Sequence, residues 1–95
     1  MSENIWQNYG QIVTSKYKRE VVLNLLSHPK TPTQISKEMG IGIAHVSRAL
    51  RELVKIQAVI CLTPSRRKGR VYKLTEKGVD IAKVIEKNRL KKQNS

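Results

Sequence analysis

The sequence has no phenylalanine, one cysteine and four aromatic residues in all, Trp6, Tyr9, Tyr17 and Tyr72. With Cys61 alone, no internal disulfide and no cysteine-based metal site can form. A lone cysteine also suits a reducing, intracellular compartment. So few aromatics, with none between Thr31 and Ile56, exclude the stacking platform that single-stranded nucleic acid requires. No apolar run approaches the roughly 18 residues needed to cross a bilayer, so no membrane partner is expected. The opening MSENIWQNYG has no basic region followed by an apolar core, so no signal peptide is expected. Acidic residues are scarce: 7 against 19 Lys plus Arg, a formal net charge of +12. There are no paired carboxylates in an apolar setting, no phosphate-binding glycine loop and no nucleophile motif. The two histidines, His28 and His45, have no second ligand at metal spacing. The reading is therefore of a non-enzyme without catalytic residues, metal or cofactor.

Ninety-five residues make one domain, 1–95, with a modest core. The excess positive charge points to nucleic acid or an anionic surface as the partner. No internal repeat and no linker divides the chain.

The most informative stretch runs from Thr31 to Ile56. Thr31 caps a first helix, Pro32 sits at its first position, and Gln34 completes a capping-box spacing. Ile35 and Met39 share one face, and Gly40 supplies a left-handed stop. Gly42 opens a second helix in which Val46, Leu50, Leu53 and Val54 repeat at helical spacing. Its other face carries His45, Ser47, Arg48, Arg51 and Lys55. Two short helices, a glycine turn and a polar-basic second helix make a helix-turn-helix pattern.

On either side the pattern continues. Residues 5–13 form a short amphipathic helix bearing Ile5, Trp6, Tyr9, Ile12 and Val13, weakened by Gly10. Residues 15–27 form a helix so apolar around Val21 to Leu26 that it needs cover on more than one side. His28-Pro29 stops it. After the connection Gln57-Ala58, residues 59–63 and 71–74 read as two strands. They join through the loop Pro64 to Arg70, with Arg66, Arg67, Lys68 and Arg70 at its tip. No acidic residue lies between Gln57 and Leu74, so these like charges favour a partner that neutralises them. A long helix over 75–93 begins at Thr75, with Val79, Ile81, Ala82, Val84 and Ile85 along its apolar side. The fold class is mainly α with a small β-hairpin: a winged helix-turn-helix with an extra N-terminal and a long C-terminal helix.

This arrangement resembles the winged helix-turn-helix transcription regulators, and most of all the small archaeal-type regulators grouped with the ArsR and MarR families. The residues that carry the resemblance are Tyr17-Lys18-Arg19, Thr31 to Ile35, His45 to Leu53, and Leu62 to Thr75 with Gly78, about two-thirds of the chain. It implies that Ser47, Arg48 and their neighbours enter the major groove while the loop meets the flanking DNA. ArsR-type metal sensors carry Cys or His ligands. Cys61 stands alone here, so metal sensing is not carried over.

Docking geometry gives the same assignment. The N-terminal half of a helix in the groove offers Ile43, Ala44, His45, Ser47 and Arg48 to base edges. Arg51 and Lys55 fall on phosphates. Thr31, Thr33 and Gln34 begin a helix whose free N–H groups suit another phosphate. Arg66, Arg67, Lys68 and Arg70 serve the wing, and Lys16, Lys18 and Arg19 add weaker phosphate contacts. Segments 1–14 and 79–95 are assigned to dimerisation through Ile5, Trp6, Tyr9, Ile12, Ile81, Val84 and Ile85. The expected function is a sequence-specific, dimeric, double-stranded DNA-binding transcription regulator, cytoplasmic and nucleoid-associated, with the transcription machinery as a further protein partner. The alternative is a protein-interaction or non-specific nucleic-acid or chromatin-binding winged helix.

Overall fold

The computed structural model describes the backbone of residues 5–93 and the side chains of residues 9–88. Among these residues the elements run α1 (Ile5–Val13), α2 (Lys16–Leu25), α3 (Pro32–Met39), α4 (Ile43–Lys55), β1 (Val59–Cys61), β2 (Tyr72–Leu74) and α5 (Glu76–Gln93). Their order and type follow the expected pattern, with a two-stranded antiparallel sheet that pairs Val59 with Leu74, Ile60 with Lys73 and Cys61 with Tyr72. None of the described helices is long and apolar enough to cross a membrane.

α2 is the hub. It touches α1, α3, α4, α5 and β2, as a helix apolar around most of its girth must. Val21, Val22 and Leu25 are buried and Leu23 and Leu26 are half-buried against the same cluster. α4 adds Val46, Ala49, Leu50 and Leu53, and α3 adds Ile35. From the hairpin come Val59 and Leu74, with Ala58 just before it.

The terminal helices close this core. Ile12, Ile81 and Ile85 had been assigned to a second copy, but they are 0%, 0% and 5% exposed within one chain. Their apolar surface is already removed from water. That corrects the expectation of a surplus there: α1 and α5 first cover their own domain. Val84 and Tyr9 stay half-buried, and Asn88 donates to the Tyr9 hydroxyl at 3.1 Å, tying α5 to α1. The side chains of Ile5 and Trp6 lie outside the described residues.

Local chemistry sets the ends. The Ser15 hydroxyl caps α2 by accepting from Lys18 N. Thr31 and Gln34 form the expected capping box, and Gly40 ends α3 at φ 69°. The Ser36 hydroxyl then donates to the Ile41 carbonyl at 2.6 Å, fastening the turn into α4. α4 ends differently. Ala58 N reaches Leu53 O at 2.9 Å and Gln57 N reaches Val54 O at 3.0 Å. This paired closure needs a left-handed residue, and Gln57 adopts it at φ 65°. Gln57-Ala58 is thus a helix cap as well as a connection.

Both strands are shorter than expected. Leu62 N still bonds Val71 O at 2.7 Å. One residue farther on, the Thr63 hydroxyl replaces a backbone partner by accepting from Val71 N at 3.0 Å. The ladder gives way there to a loop held by side chains.

Gly78 is the tightest point. The Thr75 hydroxyl accepts from Gly78 N at 3.1 Å and donates to Gln57 O at 2.6 Å, pinning the start of α5 against the end of α4. A Cβ on Gly78 would stand 2.0 Å from the Ala58 carbonyl oxygen. That oxygen already accepts from Thr75 N at 3.0 Å, a bond that any retreat would stretch. Gly78→Ala should therefore destabilise the domain by roughly 1–3 kcal/mol, read as a lower urea midpoint. An unchanged midpoint would mean that α5 can lift away from Ala58 freely.

Candidate nucleic-acid interface

Burial of Val46, Ala49, Leu50 and Leu53 fixes the rotation of α4, and every other side chain on it falls into place. Ala44, Arg48, Arg51 and Lys55 recur at spacings of four, three and four and are exposed, forming the stripe farthest from the core. Ile43 and Ser47 turn toward the wing. There they line a groove of about 450 Å³ with Pro32 and Thr33 of α3 and Arg67, Lys68, Gly69, Arg70 and Tyr72 of the hairpin. A second groove of about 340 Å³ continues along α4, between Ser47, Arg51 and Val54 and the hairpin residues Cys61, Arg70 and Tyr72.

His45 and Glu52 turn the other way, toward α2. The His45 ring stacks on Tyr17, with centroids 4.7 Å apart and planes inclined by 20°. Lys18 Nζ lies 2.9 Å from Glu52 Oε1. His45 is thus on the edge of the exposed stripe rather than on its crest.

Thr31 and Gln34 spend polar atoms on each other: Gln34 Oε1 accepts from Thr31 N at 2.8 Å, and Thr31 Oγ1 from Gln34 N at 3.2 Å. They organise the helix start, while Thr33 beside them is exposed in the groove. On the wing, Arg66 Nη1 donates to Gly69 O at 3.4 Å and Arg70 Nε donates to Arg66 O. Two of the four loop cations are therefore folded onto their own backbone. Arg67 and Lys68, also exposed, stand at the groove. Lys16 is exposed, and Arg19 donates to Val13 O at 2.7 Å, so Arg19 serves the α1–α2 corner.

Charge accumulates on this side. Between Thr31 and Leu74 the sequence has nine Lys or Arg and two acidic residues, Glu38 and Glu52. Both carboxylates are held ionised by lysines. The Lys18 hydrogen bond and charge, with smaller contributions from Arg48 and Lys55, keep Glu52 below the usual glutamate range. Lys30 does the same for Glu38, with help from Asn24.

Three contributors were missed in the sequence. Tyr72 lines both grooves, and strand alternation from Val71 and Lys73 was the available signal. Tyr17 carries part of the family resemblance in the sequence, but its stacking on His45 has no local signature. Lys30 is 5% exposed. Its backbone pairs with Tyr72 in both directions, at 3.0 and 2.8 Å. Its ammonium donates to Asn24 O at 2.8 Å, Asn24 Oδ1 at 2.9 Å and Glu38 Oε1 at 2.7 Å. One lysine therefore locks the wing strand to α2 and α3. In sequence, a lysine between Pro29 and Thr31 reads as an ordinary loop charge.

This is the winged helix-turn-helix fold. The chain is similar to ZitR of Lactococcus lactis in complex with DNA, with 24% identity and a TM-score of 0.64 over 70% of this chain and 47% of that one. It is similar to the adhesin competence repressor AdcR of Streptococcus pyogenes, at 18% identity and a TM-score of 0.75 over 97% of this chain and 72% of that one. A MarR family transcription regulator aligns at 20% identity and a TM-score of 0.79, over 95% of this chain and 61% of that one. Two further ZitR chains are spanned to 53% and 56% of their length, about half. No family model and no curated protein sequence matches the chain.

Lys30→Met should remove three hydrogen bonds from a buried ammonium and cost roughly 1–3 kcal/mol. Acid should act on the same link. Glu38 has its carboxyl lowered in the folded state, so its contribution is complete above the ordinary glutamate value and is lost as pH falls through the folded one. Thermal melts of the wild type should therefore fall off below about pH 4.5, and Glu38→Gln should flatten that fall. Identical acid profiles for the two proteins would refute the assignment.

Proposed function

We propose that the chain is a sequence-specific double-stranded DNA-binding transcription regulator, with α4 in the major groove and the basic wing on flanking DNA. One observation carries the reading: the exposed stripe Ala44, Arg48, Arg51 and Lys55 stands beside a groove walled by Arg67, Lys68 and Arg70. A helix is wide enough to fill a major groove, and a cationic loop beside it then lies over phosphates. The likeness to DNA-bound ZitR supports the same reading. Such a protein works where the nucleoid is, in the cytoplasm, without chemistry of its own. Ile60 and Leu62, 49% and 48% exposed on the hairpin, favour a second use of the wing, on a protein of the transcription machinery.

Arg48 is mounted on a rigid helix and Arg67 on a loop. A rigid donor discriminates bases, while a loop cation senses charge. Arg48→Ala should cost roughly 1–3 kcal/mol on a duplex selected by the chain and much less on a scrambled one. Arg67→Ala should weaken both alike and lower the salt slope by about one. With about six to ten phosphate contacts, wild-type affinity should fall by about 10³ to 10⁵ between 50 and 200 mM salt. Salt-independent binding, or equal losses for Arg48→Ala on the two duplexes, would remove the corresponding part of the proposal.

A second copy is the proposed partner of α1 and α5. Around one shallow cavity of about 440 Å³, Tyr9, Val13, Leu23 and Asn88 line the space between α1, α2 and α5, and half-buried Val84 is on α5. Sedimentation at micromolar concentration should give twice the chain mass of 10.9 kDa. A monomer under those conditions would leave the terminal helices as cover for their own core alone.

A further inference from the structure

His45 and Ser47 sit one residue either side of buried Val46, so they point about 100° to either side of the core direction. Ser47 faces the wing groove. His45 faces α2 and lies against Tyr17. The pair is at the surface: Tyr17 is 38% exposed and His45 is also exposed. An α-helix with its side chains is about 10–12 Å across, and a major groove is about 12 Å wide. A helix seated there has both flanks near phosphates, one ridge from each strand. The wing supplies cations on one flank of α4. On the other, the first turn of α2 brings Tyr17 to His45, with Lys16 and Lys18 as its neighbours in the chain.

The charged and titratable surroundings of His45 can be named. On α2 they are Lys16, Tyr17, Lys18 and Glu20; Lys18 is bonded to Glu52 at 2.9 Å, and Glu20 lines one groove with Lys16, Tyr17, Glu38 of α3 and Glu86 of α5. On α4 they are Arg48, one turn on, and Glu52, two turns on. The turn from α3, Gly40-Ile41-Gly42, carries no charge. A phosphate ridge beside the ring favours the imidazolium.

We infer that Tyr17 and His45 form a phosphate contact on the flank of α4 opposite the wing, and that His45 takes up a proton from solvent as duplex DNA docks. This rests on the reading of α4 as a DNA-binding helix. It adds a contact outside the groove and makes affinity respond to pH. The sign is set by the linkage: a proton bound more tightly in the complex than in the free chain raises affinity as pH falls.

The test is anisotropy of a labelled mixed-sequence duplex titrated with the whole chain, at fixed ionic strength, from about pH 5.5 to 8. Wild-type affinity should rise on acidification, approaching about tenfold per pH unit in the steepest part. His45→Gln should flatten the rise and bind at every pH like the wild type at the alkaline end. Tyr17→Phe keeps a ring that holds the imidazole in place and should keep the rise, whereas Tyr17→Leu, which frees the imidazole from that position, should shrink it. His28→Gln, at the other histidine, should keep it in full. A wild-type rise that persists in His45→Gln overturns the inference, and so does salt-sensitive wild-type binding that ignores pH. Failure of the wild type to bind any duplex at any pH would instead overturn the DNA-binding reading beneath it.

Discussion

The burial of one stripe of α4 is the constraint from which the rest of the interface follows. Val46, Leu50 and Leu53 are at most 1% exposed, and a helix so anchored cannot rotate without exposing them. Each exposed position on α4 then has a single direction. Ala44, Arg48, Arg51 and Lys55 point outward. Ser47 and Ile43 point to the wing, and His45 and Glu52 to α2. Side-chain identity supplies the chemistry, but the buried stripe decides what each side chain meets.

Around that helix the domain spends its few polar links on keeping neighbours in place. Lys30 joins the wing strand to α2 and α3, Lys18 joins α2 to α4, and the Thr75 hydroxyl joins α5 to the end of α4. Two of these use a lysine to pair a carboxylate. The acidic groups nearest the basic face thus stay ionised without standing unpaired before it. A chain with a net charge of +12 repels itself, and internal pairing of this kind offsets some of that repulsion locally.

The wing is less uniform than its sequence implies. Its four cations form one block in the chain, yet Arg66 and Arg70 bond loop carbonyls while Arg67, Lys68 and Arg70 line the groove, Arg70 doing both. The loop uses part of its own charge as scaffolding. That division matters for function, because a cation held on its own backbone has less freedom to follow a phosphate.

Local signals made much of this architecture legible. Thr31-Pro32 with Gln34 specifies a capped helix start, Gly40 a left-handed stop, and the spacing of Val46, Leu50 and Leu53 an amphipathic helix. Each depends on residues within a turn or two of one another, so the chain alone carries it. The same holds for the hairpin with its basic tip. Tertiary structure decided matters that depend on distant partners. It sent Ile12, Ile81 and Ile85 into the chain's own core, because α2 needed covering on several sides and α1 and α5 were the elements within reach. It made Lys30 a buried lock, since only folding brings Asn24 and Glu38 to its ammonium and Tyr72 to its backbone. It turned His45 onto Tyr17, 28 residues away in sequence, because helix spacing gives a residue's angle on its own helix and says nothing of the neighbour it will face.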